Sequence, residues 1–157
     1  MTPAQLQTLK AAVLADQTLA AVGRNDTELA RLLNLPTAFV VWRNLVSQDE
    51  IMLNGFDWVR VDNLSVGKAR IWEWLFDNPQ RSINPSKVNV RAGIDEAWKG
   101  TAADLAVRAA VYTHCKRFAT HAEQILGSGT GTNATPGSLG FEGAVSITDI
   151  GEMWNLG

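Results

Sequence analysis

The 157-residue sequence predicts a mainly α fold: a compact helical bundle with one long helix in its C-terminal half, then a flexible Gly-rich linker and an extended C-terminal arm. Three observations predict it. Side-chain capping signatures recur just ahead of apolar residues spaced three and four apart. Pro and Gly punctuate the chain between those stretches. Residues 127–140, GSGTGTNATPGSLG, hold five Gly, one Pro and no charge. Such a composition behaves as a flexible tether and is a poor candidate for core. It divides a helical body (1–126) from an apolar docking arm (141–157).

The elements follow in order. Thr2, Pro3 and Gln5 form a capping box with Pro at the first helical position, and Leu6, Leu9, Val13 and Leu14 mark one face out to about Asp16. A short turn over Thr18–Val22 breaks at Gly23. Asn25 with Glu28 caps a helix over Leu29 to Leu33, which must stop before Pro36. Phe39-Val40-Val41-Trp42 is too short for periodicity to choose between a buried strand and a helix start. Ser47-Gln48-Asp49-Glu50 caps a short helix ending near Gly55. Asp62 or Asn63 caps a stronger one, Leu64 to Asp77, that Pro79 ends. Asn84-Pro85 restarts the chain as N-cap and first helical residue, with Val90, Ile94, Ala97 and Trp98 facing inward and Gly100 as a C-terminal cap.

Thr101-Ala102-Ala103-Asp104 then opens the longest predicted helix, running to about Leu126, some 36 Å at about 1.5 Å per residue. In the arm, Val145-Ser146-Ile147 reads as a short strand, with Thr148 or Ser146 capping a terminal helical turn.

Composition excludes several function classes. With 46% apolar and 19% charged residues, the chain is globular in type. No apolar run approaches the ~18–20 residues a membrane-spanning helix needs, so no membrane contact is expected. The N-terminus has no basic segment leading into an apolar one, so no secretory signal is expected either. The net charge is −2 and the 14 Lys and Arg are scattered, against the basic face that a phosphate backbone demands. A lone Cys115 cannot form an internal disulfide and suits a reducing cytoplasm. Three Asn-x-Ser/Thr triplets read as loop or cap residues. Six Trp in a small helical domain suggest that some of them face a partner.

The search for catalytic, cofactor and metal chemistry predicts none. His114 and Cys115 are adjacent, so on a helix they point about 100° apart. His114 and His121 share a helical face but lie two turns apart, too far to chelate one ion alone. Cys115 reads as a small apolar core residue within the long helix. The Gly-rich stretch follows a helix and lacks the Lys of a phosphate-cradling loop, and Ser65-Val66-Gly67-Lys68 lacks the upstream Gly. Glu73 and Asp77, four apart, would repel unless a cation intervenes, with Arg70 and Arg81 the obvious ones. The predicted sites are protein interfaces. Trp72 and Trp74 sit on a helix apolar over more than one stripe, and Phe141, Val145, Ile147, Ile150, Met153 and Trp154 belong to a tethered arm that must dock somewhere. Removing residues 141–157 is then expected to leave a folded helical monomer.

Several stretches carry a resemblance. They are Thr2-Pro3-Ala4-Gln5-Leu6, Asn63-Leu64-Ser65-Val66-Gly67-Lys68-Ala69-Arg70-Ile71-Trp72, Asn84-Pro85-Ser86-Lys87-Val88-Asn89-Val90-Arg91-Ala92-Gly93, and Ala119-Thr120-His121-Ala122-Glu123-Gln124-Ile125-Leu126 with Leu139-Gly140-Phe141-Glu142-Gly143. Together they resemble a family of small virion proteins of tailed bacteriophages and prophages, and in particular head–tail connector (adaptor) proteins. That resemblance implies a homo-oligomeric ring, commonly of twelve subunits, at the neck of the particle. Its partners would be the portal and the tail or nozzle proteins, and it would be assembled in the host bacterial cytoplasm. It implies no specific nucleic-acid binding beyond passive contact with DNA in a central channel. The alternatives are a tail-assembly chaperone or other non-virion assembly factor and, further off, a helical DNA-binding regulator.

Overall fold

The computed structural model describes residues 1–53 and 56–156. Among these the chain forms ten helices and four short strands, a mainly α protein. Its contacts divide it at different places from the expected boundaries at 126 and 140. One unit, the terminal unit, joins residues 1–41 to 118–157. The other, the insert unit, is the segment between, 42–117.

The terminal unit begins as its sequence predicts. Helix α1 (Pro3–Ala15) is opened by a reciprocal box in which Thr2 N–H donates to Gln5 Oε1 at 2.8 Å and Gln5 N–H donates to Thr2 Oγ1 at 3.3 Å. Asp16 ends α1 and caps α2 (Gln17–Val22), accepting from the amides of Thr18 and Leu19. Asn25 caps α3 (Asp26–Leu33) through the Glu28 amide. Strand β1 (Pro36–Trp42) resolves the ambiguous Phe39–Trp42 run as strand; it forms a two-stranded sheet with β4 (Lys116–Thr120). After β4, Thr120 and Glu123 form a capping box for α9 (His121–Ile125), and Ser146 and Asp149 form one for α10 (Ile147–Asn155). The expected strand over 145–147 is thus the entry to a helix.

The core of this unit joins both ends of the chain. Leu6, Leu9 and Val13 of α1 and Leu19, Leu29 and Leu33 meet Ala122, Val145, Ile150 and Met153. At roughly 1.5–3 kcal/mol for a fully buried large apolar side chain, Ile150 and Met153 alone contribute several kcal/mol.

The insert unit carries β2 (Val46–Ser47), α4 (Gln48–Leu53), α5 (Trp58–Asp62), α6 (Val66–Leu75), β3 (Ser82–Ile83), α7 (Val88–Ala97) and α8 (Ala102–His114). Strands β2 and β3 pair antiparallel, with Val46 opposite Ile83. The expected end of α4 near Gly55 lies outside the described residues. An aromatic cluster sits in its core. Phe56 stacks on Trp72 at 5.8 Å between centroids, while Trp98 meets both rings edge-on and Phe76 meets Trp72 edge-on at 5.0 Å. Helices α6 and α7 pack together where Gly93 stands; a Cβ there would fall 2.9 Å from Leu75 Cδ2.

Three expectations about helix ends are corrected. The helix predicted over Leu64–Asp77 starts later, with Ser65 rather than Asp62 or Asn63 as its cap. Asn84 does not cap α7; its Oδ1 accepts from the Ser86 amide in a local turn, and α7 begins at Val88 with no side-chain cap. Most consequentially, no single helix spans 101–126. Thr101 and Asp104 do open α8, but α8 closes on Cys115, five residues follow as strand β4, and α9 starts afresh. The apolar residues across this stretch fit a helical period and could not reveal the break. The Thr120–Glu123 box, a helix-start signature within the predicted helix, could have.

Candidate interaction surfaces

The Gly-rich stretch, read from sequence as a flexible tether, is a packed loop on β1. Val40 donates its N–H to Gly131 O at 2.7 Å and accepts from Gly137 N–H at 2.8 Å, and Ser128 and Ser138 exchange two backbone bonds at 2.9 Å each. Gly131 and Gly137 are buried because the Phe39 ring occupies their side-chain positions. A Cβ on Gly131, whose φ is +63°, would lie 2.0 Å from Phe39 Cδ2, and one on Gly137 would lie 2.5 Å from Phe39 Cε1. These glycines permit close approach; they do not serve chain freedom.

The segment beyond the loop is held by polar links as well as burial. Asn34 clamps Val145, its Nδ2 donating to Val145 O at 2.9 Å while its Oδ1 accepts from Val145 N–H at 2.8 Å. Gln5 Nε2 donates to Gly140 O at 2.8 Å, and Lys10 Nζ donates to Leu156 O. The Met1 ammonium pairs with Asp149 at 3.0 Å. Glu123, almost fully buried, accepts from Thr120 N–H at 2.9 Å and from Gly143 N–H at 3.2 Å, so its carboxylate stands in for the missing backbone partners of both turns.

This accounts for the predicted interface residues of the arm. Val145, Ile150 and Met153 are buried in the terminal unit's own core, and Phe141 and Trp154 pack partly buried against it. Arg24 lies 5.7 Å from the Trp154 ring. Ile147 alone among them stays open, at 53% exposure. On α6 the two tryptophans part company. Trp72 is buried in the aromatic cluster, whereas Trp74 is 65% exposed. Two residues advance a helix by about 200°, so the pair could never have shared a surface. The structure therefore keeps Trp74 and Ile147 available and commits Trp72, Val145, Ile150 and Met153 to the chain's interior.

Sequence reasoning missed another exposed group. Among the described residues, Leu45, Leu53, Trp58, Val59, Val66, Trp74, Val88 and Leu105 are exposed in the insert unit, against Leu14, Leu35, Phe118 and Ile147 in the terminal unit. Trp58 and Val59 belong to α5, an element with no periodic signal because it is only a turn and a half long. Its one sequence cue is Asp57, whose Oδ1 accepts from Val59 N–H at 3.1 Å. Between Asp57 and α8 lies a shallow groove of about 200 Å³ floored by Ala103, Ala106, Val107 and Ala110.

A larger cleft, about 550 Å³, lies at the C-terminal end of α6 and is lined by Gln48, Glu73, Trp74, Phe76, Asp77, Asn78 and Arg81. Neither cation expected to relieve Glu73 and Asp77 does so: among the described residues no ion pair joins Arg70 or Arg81 to either. Arg81 instead donates Nε–H to Gln48 Oε1 at 2.8 Å from a backbone φ of +45°, a strained setting for a residue with a side chain.

The titratable groups that sequence singled out do not converge. His114 ends α8 in the insert unit and His121 starts α9 in the terminal unit, so the shared helical face is gone. Cys115 is the cap of α8 rather than a mid-helix residue, and burial pushes its thiol up to about 12, away from the thiolate that a nucleophile requires. Tyr112 donates its hydroxyl proton to Asp95 Oδ1 at 2.9 Å, and burial first, then Asp95, raises its pKa. Asp104 is held down at about 2, first by Arg60, whose Nη2 donates to Oδ1 at 2.6 Å, then by the Thr101 amide. This ties α5 to the start of α8. Trp42 has two cations close to its ring, Arg91 4.7 Å and Lys116 5.4 Å from the centroid. No cluster of three His, Cys, Asp or Glu able to hold a metal occurs among the described residues, and no helix there is long and apolar enough to cross a membrane.

No protein-family model matches the chain, and neither a curated protein nor a solved structure is significantly similar to it.

Proposed function

We propose that this chain is a non-catalytic structural subunit of a tailed-phage virion: a head–tail connector (adaptor) that assembles as a ring, typically of twelve copies, between the portal and the tail proteins in the neck. The observation that carries the reading is the set of uncovered apolar side chains on the insert unit, Leu53, Trp58, Val59, Val66, Trp74 and Val88 among them. Where such side chains lie together they mark surfaces that other proteins cover, and Trp58 and Val59 are neighbours on the short helix α5. The resemblance in the α1, α6 and α7 stretches supplies the setting.

In this reading the contacts are made by those exposed residues and by Ile147, not by a tethered arm. Fully covering a Trp or Val contributes roughly 1.5–3 kcal/mol, and multiplying modest contacts around a ring yields a durable joint. Mass spectrometry of purified particles of the phage that encodes the chain tests the proposal directly. The protein is expected in mature virions at ring stoichiometry with the portal, with density at the neck in particle images. Its absence from finished particles would favour the assembly-factor alternative and overturn the virion role.

A further inference from the structure

We draw no further inference here: the strongest candidate, the alanine-floored groove along α8 with the exposed Trp58 and Val59 of α5, is an unpartnered apolar surface and nothing in the structure shows what covers it.

Discussion

Replacing Met153 by Ala should remove a side chain that is wholly buried in the terminal unit, packed with Leu6, Leu9, Val13 and Leu29. Truncating a buried Met to Ala costs about 2–5 kcal/mol, from lost transfer energy plus the cavity left behind. At a urea slope of about 2 kcal/mol per M, a loss of about 3 kcal/mol lowers the unfolding midpoint by ~1.5 M. The matched control is Ile147→Ala at the start of the same helix. Ile147 is more than half exposed, so its loss should change stability by no more than about 0.5 kcal/mol. The assay is a urea titration by circular dichroism, paired with amide exchange at Leu9 and Val13 to report on α1 itself. If Met153→Ala and Ile147→Ala unfold at the same urea concentration, α10 is not part of its own subunit's core and the packing argument fails. The same logic reverses the expectation that removing residues 141–157 leaves a folded helical monomer. Their deletion should strip the α1 face, and the terminal unit should lose its exchange protection.

Other consequences are equally direct. Gly131→Ala places a Cβ into the Phe39 ring at a positive φ and should cost about 2–4 kcal/mol, with a double-mutant cycle against Phe39→Ala showing strong coupling; additive effects would mean the ring does not sit there. For Asp104 the folded carboxyl lies near 2, below its ordinary value of 3.8. The stability it contributes is therefore complete above about pH 4 and drains away as pH falls towards 2. Acid titration of Asp104→Asn should lack that part of the parent's pH dependence, and superimposable pH profiles would refute the Arg60–Asp104 assignment. Cys115 should react with a disulfide reagent at neutral pH only on the timescale of unfolding, because it is buried and protonated. Rapid labelling of the native protein would contradict its buried position at the end of α8.

Sequence by itself determined what is local. The caps at Thr2, Asn25 and Thr101, the inward face of α7, and Leu6, Leu9 and Val13 of α1, though not the exposed Leu14, were legible because a helix start and a helical stripe are written within a few neighbouring residues. Tertiary structure alone decided what the distant parts do to each other. The bond pair between Asn34 and Val145 joins residues 111 apart, and the Phe39 ring sets the role of Gly131 and Gly137. A glycine that grants freedom and one that admits a neighbour are the same letter until that neighbour is in place. The apolar tail was equally ambiguous: its pattern demanded burial, but hydrophobic burial is non-directional, and only the shape of the α1–α3 face selected the site.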